Sequence, residues 1–273
     1  MSQADKAERF RKLHEGAKTF LLPNPWDAGT AKALEALGFE ALTTTSAGLA
    51  WTLGRSDGTR SVSRDEALAN AKSIVDATSL PVAADLENGY GDDPETVAET
   101  VNLAARAGLV GCSIEDATSR DDQPVYDFDF AVERIAAAAA AAQSLPFPFM
   151  LVARAENFLQ GIDDLDDTIL RLQAYEKAGA NVLYAPMLPD ADAIRRVCAS
   201  VKKPVNVLAA GPVLKMSVSE LAALRVRRIS VGSGFARAAF SAFIGAAREA
   251  KQDGRFDSIA SSITFAEISK LVS

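Results

Sequence analysis

Short apolar runs with strand character alternate with longer stretches of helical periodicity along the whole chain. Eight runs read as strands, at residues 19–24, 40–46, 81–87, 110–116, 149–154, 181–186, 204–209 and 227–232. Helical patterns fall between them, at 26–37, 63–78, 94–107, 130–143, 165–178, 190–200, 217–224 and 235–251. Repeated βα units of this kind build a parallel sheet covered by helices. Gly38, Gly108 and Gly179 each stand just before a strand, where a left-handed residue ends a helix. Eight such units predict a (β/α)8 TIM barrel, taken as one domain over residues 1–273. An open doubly wound sheet is the alternative, but its GxGxxG is missing after the first strand. Residues 252–273 are too apolar for a loose tail and are predicted to form a helical extension that covers the barrel or packs on a neighbouring subunit.

Composition narrows the partners. The 273 residues are 48% hydrophobic and 24% charged, with a net charge of −7. That balance gives no general attraction to nucleic acid or to an anionic membrane, so the expected partner is a small molecule. The first residues lack the apolar core of a signal peptide and no later run is long enough to span a bilayer, which predicts a cytoplasmic protein. Cys112 and Cys198 read as buried, inert thiols. The sole histidine, His14, falls on a polar opening helix and is assigned an ordinary surface role. One histidine leaves no material for a Ser-His-Asp, Cys-His or zinc-histidine mechanism. The alanine run 136–142 is read as a packed helix without chemistry.

In a barrel of this type the active site lies at the carboxyl ends of the strands. Four acids end strands there: Asp85 and Glu87 in VAADLENGYG, then Glu115 and Asp116 in GCSIEDA. Strand alternation puts Asp85 and Glu87 on one face, with Glu115 in an equivalent place on the next strand. Carboxylates gathered at one rim are costly unless a divalent cation or a proton compensates them. Mg2+, or Mn2+ in its place, suits oxygen donors and retained water, and the second loop adds Asp57 as a further acid. Taken singly, Asp116 or Glu156 reads instead as a helix cap or an arginine partner. Arg154 ends its strand, where its fork can grip a carboxylate or phosphonate or can neutralise the acids. Ser46-Ala47-Gly48 reads as a small, tightly turning loop able to hold an oxyanion, or as a plain glycine turn. Trp26 and Asn206 complete the strand-end set proposed for substrate. No lysine lies within a strand at the mouth, which argues against Schiff-base chemistry.

These residues resemble the isocitrate lyase and phosphoenolpyruvate mutase superfamily. The likeness runs through LLPNPWDAGTAKALEALGFEALTTTSAGLA, GRSDG, DLENGYGD, GCSIEDA, LVARAENFL and PVNVLA, nearly the whole chain. It implies a (β/α)8 barrel, dimers or tetramers that exchange the last helix, and Mg2+ bound with an α-oxo acid. By this resemblance Asp85 is the principal metal ligand, with Asp57, Glu87 and Glu115 supporting it mostly through water. Ser46, Ala47 and Gly48 match the loop that holds the oxo acid, Trp26 lines the pocket and Arg154 grips the anionic end.

The sequence departs from the family at one loop. Isocitrate and methylisocitrate lyases carry a KKCGH-type loop after the fourth strand, where this chain reads EDATSRDDQPVYDFD. Neither that loop nor the mutase gating signature is present, so Thr118, Ser119, Arg120, Asp121 and Gln123 occupy the corresponding mobile segment. The expected activity is Mg2+-dependent C–C cleavage of a small α-oxo or 2-hydroxy dicarboxylate through enolpyruvate, with Arg154, Ser46 and Asp57 in the catalytic set. A C–P enzyme acting on phosphonopyruvate and a non-catalytic oxo-acid binder are the alternatives.

Overall fold

The computed structural model describes residues 1–273. Helix α1 (Gln3–Glu15) precedes β1 (Phe20–Leu22), α2 (Ala28–Ala36), β2 (Leu42–Thr43), α3 (Ser46–Thr52), α4 (Arg64–Ala77) and β3 (Val82–Asp85). Then come α5 (Pro94–Arg106), β4 (Gly111–Glu115), α6 (Phe128–Gln143), β5 (Met150–Arg154), α7 (Leu165–Ala178), β6 (Val182–Tyr184) and α8 (Ala191–Ser200). The chain continues with β7 (Val205–Leu208), a 3-10 turn (Gly211–Lys215), α9 (Val218–Ala223), β8 (Arg228–Ser230), α10 (Gly234–Asp253), α11 (Asp257–Ala260) and α12 (Phe265–Val272).

All strand pairings are parallel, and the sheet runs β1-β8-β7-β6-β5-β4-β3-β2. The barrel closes between β1 and β2 through the Thr43 N–H, which donates to the Pro23 carbonyl at 3.0 Å. Asn24 reinforces that seam: its Nδ2 donates to the Thr44 carbonyl, while its Oδ1 accepts from the N–H groups of Val231 and Gly232. This is the expected (β/α)8 barrel.

Two apolar layers hold it. An outer layer joins the strands to the helices, including the buried alanines 138, 139, 141 and 142 of α6. An inner layer fills the barrel with Phe20, Leu22, Ala83, Met150, Val152 and Val182, closed at its amino end by Ala7 and Phe10 of α1. That plug corrects the surface role assigned to His14. Ala7, Phe10 and His14 fall on one helical face, and His14 is 2% exposed, with Nδ1 against the Phe10 carbonyl at 2.8 Å. Burial and the nearby Arg228 push its pKa down to about 3, so the ring is neutral, and it lies at the barrel end opposite the mouth. Cys112 and Cys198 are buried thiols, as expected.

The C-terminal extension is helical. Its last helix, α12, lies against α2 of its own chain, where Lys32 Nζ donates to the Val272 carbonyl at 2.9 Å. Helix α10 buries only Ala236, and Phe243, Phe256 and Phe265 remain exposed along this segment. No helix is long and apolar enough to cross a membrane.

Candidate active site

Strands β2 to β5 and their following loops enclose a cavity of about 430 Å3 lined by Ser46, Asp57, Glu87, Glu115, Arg154 and Glu156, among others. Asp85 ends β3 and is hydrogen-bonded to two of the lining residues, Ser46 and Arg154. Its Oδ1 accepts from Arg154 Nη1 at 2.8 Å and Ser113 Oγ at 3.2 Å, and its Oδ2 accepts from Ser46 Oγ at 3.0 Å. Arg154 gives its remaining nitrogens to Glu156, 2.7 Å away, and Glu115, 3.1 Å away. Every nitrogen of its guanidinium therefore meets a carboxylate, and its plane sits 5.1 Å from the Tyr184 ring. Arg154 thus neutralises the acids in this arrangement.

The acids carry the electrostatic signature of a crowded site. Desolvation, then the Asp85 and Asp57 charges, push Glu87 up to about 7. Asp57 sits at the exposed cavity edge and is also raised, by desolvation first and the Asp85 charge next. Burial drives Glu115 and Glu156 upward against the opposing pull of Arg154. Glu156 is fully buried, and its Oε2 has no hydrogen-bond partner. Sequence reasoning treated Glu156 as an ordinary arginine partner and passed over Ser113. Ser113 follows from period-two alternation, two residues before Glu115 on β4, whereas Glu156 lies just past the end of β5.

Asp116, the fourth strand-end acid, does not join them. It faces outward, accepting from Tyr175 Oη at 2.5 Å, Arg171 Nη1 at 3.1 Å and the Glu156 N–H at 2.8 Å. It buttresses the β4–β5 ends from behind.

Ser46-Ala47-Gly48 forms the first turn of α3 and not an irregular loop. Thr45 caps that helix, accepting from the Gly48 N–H at 3.2 Å. Gly48 is needed for close approach: a Cβ there would meet Thr45 Cγ2 at 2.6 Å and Trp26 Cβ at 2.9 Å. Trp26 therefore supports the Ser46 turn and does not line the cavity, while Ala47 is buried beside it. Asn206 is fully buried below the mouth, donating to Ser230 Oγ and accepting from Arg228 Nε.

The donor set fits a hard divalent cation. It offers carboxylate and hydroxyl oxygens without histidine or cysteine, and burial first, with neighbouring carboxylates adding to it, holds three of its acids above their ordinary pKa. No three acids converge closely enough to chelate an ion by themselves. Asp85, Glu87, Glu115 and Asp57 are the residues that could hold such an ion.

Comparison with known proteins follows the same outline. Residues 10–251 match the family model of phosphoenolpyruvate phosphomutase. A solved structure from Burkholderia cenocepacia, carrying the provisional description of a lyase/mutase, is 54% identical with a TM-score of 0.95, covering 98% of this chain and 95% of that one. An uncharacterized protein of Mycobacterium tuberculosis is 32% identical, over 95% of this chain and 94% of its own length. A phosphonopyruvate hydrolase solved with oxalate and Mg2+ is 25% identical with a TM-score of 0.86, covering 99% of this chain and 95% of that one. The wider group includes a 2-methylisocitrate lyase and an oxaloacetate acetylhydrolase. The chain therefore belongs to the phosphoenolpyruvate phosphomutase family, within the isocitrate lyase and phosphoenolpyruvate mutase superfamily of Mg2+-dependent lyases and mutases.

Proposed function

We propose that this chain is a Mg2+-dependent carbon–carbon lyase acting on a small α-oxo or 2-hydroxy dicarboxylate, with oxaloacetate-type cleavage as the leading case. The supporting observation is the hydrogen-bonded set of Asp85, Ser46 and Arg154 at a cavity lined by acids of raised pKa. Ser46 Oγ and the first turn of α3 hold the oxo-acid end. Arg154 positions Asp85 and Glu115 and reaches the substrate carboxylate by exchanging one of its acid partners. Bound Mg2+ would supply Lewis-acid stabilisation of the charge that develops on the keto oxygen. In decarboxylation, the bond to the far carboxylate breaks, its electron pair forms the enolate of pyruvate, and carbon dioxide leaves. Asp57 and Glu87, which line the cavity, are the candidates to manage the proton that completes pyruvate.

The 117–128 loop lacks the KKCGH-type lyase motif and the mutase gating signature alike, so the C–C reading takes precedence on the curated relatives, which include a 2-methylisocitrate lyase and a 2,3-dimethylmalate lyase. A panel of oxo and hydroxy diacids and phosphonopyruvate, with and without Mg2+, tests it by pyruvate and phosphate release. Pyruvate from a diacid only with Mg2+ is the expected result. Phosphate release from phosphonopyruvate alone would transfer the assignment to C–P chemistry. The same reading includes a homodimer or homotetramer, supported by the exposed aromatic residues of α10 to α12.

A further inference from the structure

We infer that Arg120 is a specificity-determining residue that receives the far carboxylate of the substrate, so that the site selects four-carbon oxo diacids over oxo monoacids. This rests on the proposed function and extends it to the end of the substrate remote from Asp85.

Arg154 and Arg120 are the cavity's only cations. Arg154 is buried and already bound to Asp85, Glu115 and Glu156, so it cannot serve both ends of a dianion. Arg120 is differently placed. Its side chain is 44% exposed, with one contact to Asp92 at 3.2 Å and a long one to Gln123 Oε1 at 3.5 Å. Those contacts leave donors free for a planar carboxylate.

The backbone beneath it is fixed. Ala117 and Val125 pair as an antiparallel bridge, the Thr118 N–H donates to the Pro124 carbonyl at 2.9 Å, and the Arg120 N–H donates to Thr118 Oγ1 at 3.0 Å. Ser119 takes a positive φ of 56°, which turns the chain at this tip. The guanidinium lies 5.7 Å from the Tyr126 ring, whose hydroxyl is anchored to Asp92 at 2.6 Å. Arg120 is thus presented at the cavity wall by a short, pinned hairpin. Gln160 lines the same cavity and adds an uncharged hydrogen-bonding group. Asp121 lines it too, so the rim would repel a second carboxylate once Arg120 lost its charge.

The test compares wild type with Arg120→Gln in the presence of Mg2+, using isothermal titration of oxalate, 2-oxobutyrate and 3,3-difluorooxaloacetate, an oxaloacetate analogue that inhibits a related oxaloacetate acetylhydrolase. Oxalate reports the oxo-acid end alone, and the other two differ in whether a far carboxylate is present. Wild type is expected to favour 3,3-difluorooxaloacetate over 2-oxobutyrate by about tenfold, and the variant to reduce that ratio to about twofold while oxalate affinity holds. Retained oxalate binding with an unchanged ratio in the variant would overturn the role of Arg120 and leave the proposed function standing. Absence of oxalate binding to wild type would overturn both.

Discussion

Replacing Arg154 with methionine measures how much of this fold's stability the active site withholds. The substitution keeps an apolar stem but leaves Asp85, Glu115 and Glu156 without the guanidinium that contacts all three. Glu156 loses the most, because it is fully buried, its Oε1 holds the Arg154 bond and its Oε2 has no partner to begin with. Breaking a buried ion pair from one side costs about 3–5 kcal/mol. That penalty has a ceiling set by protonation, since a carboxyl too costly to keep charged takes up a proton. Glu115 and Glu156 already sit above their ordinary pKa, and loss of the cation raises them further. An acid whose folded pKa exceeds its unfolded value binds an extra proton in the folded state, so stability falls as pH rises through that interval. The deficit should therefore approach about 3–5 kcal/mol near pH 8 and shrink by about 1–2 kcal/mol toward pH 5.5. For a chain of this size that amounts to roughly 10 °C in melting temperature at the higher pH. Thermal melts of both proteins across that range decide the matter. A deficit under about 1 kcal/mol, or one independent of pH, would show that Arg154 does not bear the charge of these acids.

Three other outcomes follow from the same geometry. Asp85→Ala removes the carboxylate shared by Ser46, Ser113 and Arg154 and should abolish Mg2+-dependent turnover, so unchanged metal dependence in steady-state assays would remove Asp85 from the metal site. Glu87, held at about 7, makes wild type lose stability as pH climbs from its unfolded value near 4.5 to 7. Glu87→Gln should match wild type near pH 4.5 and exceed it by about 2 kcal/mol at pH 8, and parallel melting curves would refute the shift. Phe243 and Phe265 are 67% and 89% exposed, and replacing both with aspartate should convert a dimer or tetramer to monomer in light-scattering chromatography, whereas a monomeric wild type would refute the assembly.

Much of the barrel was legible because its signals are local. The helix expected at 165–178 forms over those residues, and Gly179 closes it with a φ of 110°. Helix α3 escaped because seven residues containing Ser46, Gly48 and Thr52 have weak intrinsic helix preference. The Thr45 cap and packing against Trp26 favour a helix there, and neither can be seen in a propensity. His14 was misplaced for a related reason. Helix α1 is polar on average, so the narrow stripe that plugs the barrel was hidden in its composition.

At the site, Glu87 arrived where alternation put it but by another route. Strand β3 ends at Asp85, and Glu87 has a φ of 49°, so a left-handed turn and not the pleat points it into the cavity. Buried Arg134 holds that turn by donating to the carbonyls of Asn88, Gly91 and Asp92. Asn206 illustrates what period and spacing leave out. The pairing register links Glu115 to Arg154, then Tyr184, Asn206, Arg228 and Phe20 around the barrel. Strands of a closed barrel tilt and stagger, so this row is not level. It starts at the cavity wall with Glu115 and Arg154 and ends at Phe20, against the α1 plug, with Asn206 buried between. A residue's place near the end of its own strand therefore does not fix its depth, which depends on the stagger accumulated across the sheet. Asn206 can influence substrate only through Ser230, Arg228 and the layer above, unless that layer rearranges around a bound oxo acid.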